Sequence, residues 1–137
     1  MTLLLFVYGT LSPDLAPVDL LPFVNRLKEL GEASIQGTMY DMGQYPAVLQ
    51  THPDSGKVYG RIYRLGNSES EALELLAKFD EYEDFDPRNP AESLFIRREV
   101  RASLLDGKEI ECWAYFYNRS PGTARKIENG IYSRANR

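Results

Sequence analysis

Five acidic residues occupy seven consecutive positions past the middle of the chain: Asp80, Glu81, Glu83, Asp84 and Asp86. They follow a predicted helix, whose C-terminal end carries partial negative charge and favours Lys or Arg instead. Crowding of like charges and partial burial would each raise the pKa of a carboxyl group toward neutrality, which suits a general base. A solvated acidic loop or a cation site accounts for these residues equally well, although the spacing of an EF-hand calcium loop is missing.

A second candidate is the segment Tyr8-Gly9-Thr10-Leu11, which ends the first apolar run. A glycine at the end of a strand lets the backbone turn sharply and point consecutive N–H groups outward. Such groups form a site for a carboxylate or an oxyanion. An ordinary turn from strand to loop is the alternative, and these four residues alone favour it.

Two further features lie on predicted strands. Arg97 and Arg98 are adjacent, so only one of them can face inward, where it could neutralise the acidic cluster; a surface ion pair is the alternative. Trp113, Tyr115 and Tyr117 share one face of a later strand, where they could line a pocket or simply pack across strands.

Other chemistries find little support in the sequence. The single histidine, His52, lies in a loop without an obvious partner, and the single cysteine, Cys112, lies in the middle of a strand. One His and one Cys cannot build a usual zinc site. No nucleophile elbow, phosphate-binding loop or dinucleotide fingerprint occurs.

Composition narrows the cellular setting. The 137 residues carry a net charge of −4, which argues against a nucleic-acid partner. Residues 118–137 hold five basic residues against one acidic residue, which we interpret as a basic tail on an acidic body. A lone cysteine suggests a reducing compartment, and the apolar start at residues 3–7 is too short for a membrane span and lacks the features of a signal peptide. We therefore expect a cytoplasmic protein that binds no membrane.

Periodicity predicts the elements that must position these residues. Strands are expected at 3–8, 27–41 (bent, with a bulge at a glycine), 57–65, 94–105 and 109–117, the last two joined at Asp106-Gly107. Ser68 and Glu71 form a capping box before a helix at 69–80, with Leu73, Leu76 and Ala77 as its apolar stripe. Residues 41–46 should form a turn, and the last twenty residues should be irregular. The sum is one α+β domain over residues 1–137, in which five or six strands form a small barrel beside one main helix and the tail packs on that barrel.

Six segments, in the same order along the chain, resemble motifs of the γ-glutamylcyclotransferase-like (AIG2-like) family. They are Phe6-Val7-Tyr8-Gly9-Thr10-Leu11, Gly43-Gln44-Tyr45-Pro46-Ala47, Phe79-Asp80-Glu81-Tyr82-Glu83, Ser93-Leu94-Phe95-Ile96-Arg97 with Val100, Cys112-Trp113-Ala114-Tyr115-Phe116-Tyr117, and Ile127 with Gly130 and Tyr132. Asp84 departs from the pattern, because the family often has Gly after the glutamate that corresponds to Glu83.

The resemblance implies a mixed β-barrel with flanking helices and an enzyme that needs neither metal nor cofactor. Its substrate would be a γ-glutamyl amide, converted into 5-oxoproline and a free amine. Glu83 would carry the proton, and the N–H groups of Gly9, Thr10 and Leu11 would hold the α-carboxylate or the developing oxyanion. The resemblance also places Tyr8 in the pocket loop, Pro46 on the opposite wall, and Tyr115 lining the pocket or holding Glu83.

Two other functions stay open at this stage. The same pocket could recognise an amino-acid-like metabolite without turnover, or the acidic body and basic tail could serve a structural interaction. The sequence does not choose among γ-glutamyl amino acids, γ-glutamyl amines and larger γ-glutamyl carriers.

Overall fold

The computed structural model describes residues 2–50 and 56–132. Within them lie eight strands and two α-helices, together with short 3-10 turns at Val18–Leu20 and Pro90–Glu92. In chain order they are β1 (Leu4–Val7), α1 (Leu21–Val24), β2 (Leu27–Gln36), β3 (Thr38–Asp41), β4 (Pro46–Leu49), β5 (Lys57–Leu65), α2 (Glu69–Tyr82), β6 (Phe95–Leu104), β7 (Glu109–Tyr117) and β8 (Arg125–Lys126).

Five of the strands close into a barrel in the order β1-β5-β2-β6-β7. Every neighbouring pair is antiparallel except β1 and β7, which run parallel, so the barrel is mixed. The α+β barrel expected from the sequence is confirmed. No helix in the described part of the chain combines the length and the apolar character that a membrane span requires.

The predicted bent strand over 27–41 is wrong in one respect, because it is two strands in two sheets. β2 belongs to the barrel, whereas β3 pairs with β4 and β8 in a separate three-stranded sheet. Gly37 divides them: a Cβ there would lie 2.9 Å from Cγ1 of Val48, so the chain turns where only glycine fits. The expected glycine bulge is present, since the pairing of β2 with β5 shifts register between Glu29 and Gly31.

The C-terminal segment is more regular than predicted. β8 pairs with β3, and the Tyr59 N–H donates to the Gly130 carbonyl at 2.8 Å. Ile127 and Tyr132 are buried in a cluster with side chains of the barrel strands. Residues 133–137 and His52 lie outside the described residues.

Helix α2 begins as predicted but buries a different stripe. Ser68 caps it by accepting the Glu71 N–H at 3.1 Å, and Glu71 reaches back to the Asn67 N–H. The buried positions are Ala72, Leu75, Leu76 and Phe79, whereas Leu73 is 53% exposed. Of the predicted stripe, Leu76 is buried as expected, whereas Leu73 and Ala77 are exposed, because the buried apolar face follows Ala72, Leu75, Leu76 and Phe79 at helical spacing.

Both faces of the barrel wall are covered. Cys112, Ala114 and Phe116 of β7 pack in a cluster with side chains from the second sheet, while Tyr115 packs in another cluster with side chains of α2. The second of these clusters contains Phe79 of α2 and Phe95 of β6 as well as Tyr115, so it places the C-terminal part of α2 beside β6 and β7, where the candidate site lies.

Candidate active site

A cavity of about 300 Å³ opens where the loop after β1, the start of β4, the end of α2 and strands β6 and β7 meet. All seven residues that the sequence analysis assigned to a site line this one cavity. They are Tyr8, Gly9, Thr10, Leu11, Pro46, Glu83 and Tyr115. Residues far apart in sequence are thus brought together, and their individual roles stay predictions.

Glu83 occupies the C-cap of α2, and its N–H donates to the Phe79 carbonyl at 2.9 Å. The next residue, Asp84, has φ +57°, the left-handed conformation that glycine usually provides at this position. The N–H of Phe85 donates to the Asp80 carbonyl and that of Asp84 to the Glu81 carbonyl, which completes a Schellman motif. Asp84 therefore stands in place of the family's glycine with some backbone strain, and its exposed side chain lies outside the cavity lining.

Glu83 is largely buried at the cavity wall. Burial raises its pKa from 4.5 to about 8, and the negative charge of Asp80 contributes in the same direction. The acidic cluster does not form one site, because Glu81, Asp84 and Asp86 are exposed. Burial rather than crowding is thus the main reason that Glu83 can exchange a proton near neutral pH.

Asp80 is buried, and both of its carboxylate oxygens accept hydrogen bonds. Arg97 donates to both of its carboxylate oxygens, from Nε to Oδ1 at 2.8 Å and from Nη2 to Oδ2 at 3.0 Å. The Tyr115 hydroxyl donates to the same Oδ1 at 2.6 Å. Arg97 is therefore the inward-facing member of the arginine pair, while Arg98 is exposed. Tyr115 lines the cavity, but its hydroxyl binds Asp80 rather than Glu83.

Gly9 is required for a reason that the sequence did not show. A Cβ at this position would lie 2.6 Å from Cγ of Pro46, so the proline ring packs directly on the glycine backbone. The Gly9 carbonyl accepts the Ser12 N–H at 2.8 Å, which tightens the loop into a turn. Among the described residues, no backbone carbonyl accepts a hydrogen bond from the N–H of Thr10 or Leu11. Both residues line the cavity, which makes these N–H groups the candidates for binding an anion there.

Tyr8 closes the side of the cavity next to Tyr115. Its hydroxyl donates to the Tyr115 backbone carbonyl at 2.6 Å. Burial, and then the charge of Glu83, raise the pKa of Tyr8 well above its ordinary value. Tyr8 is therefore a neutral group at physiological pH and contributes polarity without charge.

The remaining lining is aromatic, apolar or uncharged and was not assigned to the site from the sequence. It comprises Phe6, Val7, Gln44, Tyr45, Tyr82, Leu94 and Phe95. Tyr45 and Phe95 meet edge to face with ring centroids 5.8 Å apart. Tyr45 directly precedes Pro46 in the segment Gly43-Gln44-Tyr45-Pro46-Ala47, so that segment could have identified Tyr45 as a lining residue as well. Among the described residues that line the cavity, Glu83 is the one with a carboxyl group, and no Lys, Arg or His lies beside it.

The described residues give no support to a cysteine nucleophile or to a metal site. Cys112 is fully buried, and burial raises the pKa of its thiol to about 12, which makes it a packing residue rather than a nucleophile. In the part of the chain that the structure describes, no cluster of three or more His, Cys, Asp or Glu side chains could hold a metal ion.

A family model described as gamma-glutamyl cyclotransferase, AIG2-like, matches residues 5–134 of the chain. The chain belongs to this family. The matched range contains every residue that lines the cavity, and the resemblance stated from six short segments is confirmed. No curated protein matches the chain significantly.

Solved structures of the AIG2-like fold superpose on nearly the whole chain. An AIG2-like protein from Mus musculus has a TM-score of 0.68 at 17% identity, covering 95% of this chain and 87% of that one. YtfP from Escherichia coli has a TM-score of 0.63 at 24% identity, covering 98% and 99%. YkqA from Bacillus subtilis has a TM-score of 0.67 at 25% identity, and the match covers 96% of the present chain but only 40% of YkqA. The first two likenesses show the fold alone.

Proposed function

We propose that the protein is a γ-glutamylcyclotransferase-type enzyme that releases 5-oxoproline and a free amine from a γ-glutamyl amide, with Glu83 carrying the proton. The observation that carries the proposal is one carboxyl group, with a pKa of about 8, at the wall of a cavity of about 300 Å³. A group that gains and loses a proton near the working pH is an effective general base and acid. Membership of the gamma-glutamyl cyclotransferase, AIG2-like family supports this reaction class.

The loop after β1 would hold the substrate's α-carboxylate. The N–H groups of Thr10 and Leu11 are available at the cavity, and no cationic side chain among the described lining residues competes for the anion. Backbone donors of this kind are fixed before the substrate arrives, so they bind charge without reorganising. The Pro46 ring, packed on Gly9, keeps the loop in this position.

The reaction needs one proton carried between two nitrogens. Glu83 takes a proton from the α-ammonium group, and the freed amine attacks the γ-carbonyl carbon to close a five-membered ring. The protonated Glu83 then gives its proton to the departing nitrogen as the amide C–N bond breaks. The ring nitrogen releases its second proton to water, and the liberated amine takes one up, so the charges balance. Because the attack is intramolecular, holding the substrate in a folded conformation supplies much of the rate.

The test is a direct assay for product. The protein is incubated with a panel of γ-glutamyl amides whose leaving groups include amino acids, alkyl amines and a peptide-linked lysine, and 5-oxoproline is measured by mass spectrometry. Glu83→Gln should abolish product and retain substrate binding by calorimetry. Glu81→Gln is the matched control, because Glu81 lies two residues away on the same helix with a side chain that is 77% exposed. Binding of an amide without product from the parent protein would instead support a recognition module.

A further inference from the structure

The last turn of α2 is attached to the barrel by one buried ion pair. Asp80 on α2 and Arg97 on β6 are joined by two hydrogen bonds, and their side chains are only 9% and 14% exposed. The Tyr115 hydroxyl adds a third bond from β7 to the same carboxylate. One helical residue is therefore fixed by two adjacent strands.

The guanidinium group of Arg97 is itself held in place. It lies over the Trp113 ring at 4.3 Å from the centroid and over the Phe85 ring at 5.8 Å. A planar fork held against aromatic rings fixes the direction of both hydrogen bonds, which a lysine ammonium could not do. The pair therefore sets the orientation of Asp80 as well as its distance from the barrel.

Asp80 also anchors the turn that contains Glu83. Its backbone carbonyl accepts the Phe85 N–H at 2.8 Å, the bond that closes the Schellman motif around Glu83 and the strained residue Asp84. The same residue thus joins the helix cap to the barrel: its side chain binds Arg97, and its carbonyl holds the cap. Movement of Asp80 would carry the Glu83 backbone with it.

A second ion pair near the start of α2 provides a comparison. Arg26 donates from Nε to Glu71 at 2.9 Å and also contacts Glu74. This group is more exposed, with 35% of the Arg26 side chain and 61% of the Glu74 side chain accessible. It attaches the same helix to the turn between α1 and β2 but lies outside the cavity.

We propose that Asp80 and Arg97 are positioning residues of the site: their buried ion pair fastens the C-terminal turn of α2 to β6 and β7 and so holds the Glu83 carboxyl group at the cavity wall. The inference rests on the proposed function of Glu83. Because the inference concerns the position of the Glu83 side chain, the pKa of that side chain can test it without any measurement of turnover.

The pKa of Glu83 is the readout, and it depends on the charged and titratable groups that face this residue. Asp80 acts on Glu83 from α2, in addition to burial. Three tyrosines from other elements also face it, and burial first, with the Glu83 charge as a smaller cause, raises the pKa values of Tyr8, Tyr45 and Tyr115. These tyrosines are neutral at physiological pH, so Asp80 supplies the charge that acts on Glu83. A substitution that keeps a cation opposite Asp80 leaves this charge balance unchanged, and any fall in the pKa of Glu83 then reports its movement into water.

The experiment compares conservative and disruptive variants at the two ends of α2. Arg97→Lys keeps the charge but loses the fork, and Arg97→Met removes both; Arg26→Lys and Arg26→Met are the controls. Each variant is assayed for kcat and KM with the γ-glutamyl amide that the parent turns over best. The ¹³C carboxyl signal of Glu83 is titrated by NMR in parallel, assigned by its loss in Glu83→Gln.

For Arg97→Lys we expect kcat to fall about tenfold or more with KM within about twofold of the parent, because the attacking geometry is lost and binding by the β1 loop is kept. The Glu83 titration midpoint should fall from about 8 toward 4.5. Arg97→Met should lose kcat more strongly where it folds, but it also leaves the Asp80 charge unpaired, which raises the pKa of Glu83, so only Arg97→Lys is used for the titration. The Arg26 variants should lose only thermal stability.

Parental kcat and an unchanged Glu83 titration in Arg97→Lys would overturn the inference, as would equal losses of kcat in the Arg26 variants. A parent protein that turns over no γ-glutamyl amide would refute the proposed function. The NMR titration would still decide whether Arg97 positions Glu83.

Discussion

Replacing Glu83 by glutamine should stabilise the protein in a strongly pH-dependent way. In the unfolded chain the carboxyl group ionises at its ordinary pKa of 4.5, whereas in the folded protein burial and Asp80 raise that pKa to about 8. Between these values the folded state holds a proton that the unfolded state has released, so the free energy of unfolding decreases as the pH rises. The contribution of Glu83 to stability is complete below pH 4.5 and is lost as the pH rises through 8. The glutamine side chain of the Glu83→Gln variant has no such proton to lose.

The magnitude follows from the two pKa values. Each pH unit between them corresponds to about 1.4 kcal/mol, so complete isolation from water would give about 5 kcal/mol. Glu83 keeps part of its surface open to the cavity, and water there screens part of the effect. We therefore expect the stability advantage of Glu83→Gln over the parent to grow by about 2–3 kcal/mol from pH 5 to pH 9.

This difference is measured by urea unfolding at pH 5, 6, 7, 8 and 9. Unfolding is monitored by the fluorescence of Trp113, the single tryptophan. All other titrating groups cancel when the two proteins are compared at one pH. Glu81→Gln should differ from the parent by the same small amount at every pH, because Glu81 is exposed. A Glu83→Gln advantage that stays constant within about 0.5 kcal/mol over this range would refute the assignment of a raised pKa to Glu83.

Three shorter predictions concern two residues at the site and the buried cysteine. Gly9→Ala should lower both stability, by about 1–3 kcal/mol, and kcat/KM, because the new Cβ clashes with the Pro46 ring. Adding Pro46→Ala to this variant should restore part of the lost stability and part of the lost kcat/KM. If the losses of the two substitutions simply add, the clash with the Pro46 ring is not their cause. Asp84→Gly should raise the free energy of unfolding by about 0.5–1 kcal/mol, since φ is +57° there; a loss of stability would contradict the strain. The buried Cys112 should resist thiol reagents at pH 8 until urea unfolds the chain, so labelling of the folded protein would contradict its burial.

The barrel strands were predictable where the local pattern matched their role. Strands β5 and β7 have the predicted bounds, because alternation and the Asp106-Gly107 turn define them within a few residues. The division of residues 27–41 between two sheets was not predictable, since the close approach of Val48 to Gly37, where the chain changes sheets, is a tertiary feature. β8 is two residues long and forms only because β3 is its partner, so no sequence period could reveal it.

The sequence identified which residues form the site, but not the hydrogen bonds and burial that organise them. Motifs identified Glu83, the β1 loop and Pro46, all of which line one cavity. The link between Asp80 and Arg97 joins residues 17 positions apart on different elements, and the sequence offered only the choice between Arg97 and Arg98. Burial of Glu83, the main cause of its raised pKa, depends on the packed structure and could not be read from neighbouring acids.

The measurement that tests the central claim most directly is the pH dependence of 5-oxoproline formation by the parent protein. If Glu83 must be ionised to accept the α-ammonium proton, kcat/KM should rise about tenfold for each pH unit on the acid side and bend near the pKa of about 8. Glu83→Gln should form no product at any pH. Product formation by Glu83→Gln at the parental rate, or a parental profile without a bend near pH 8, would contradict the role of Glu83 as the proton carrier.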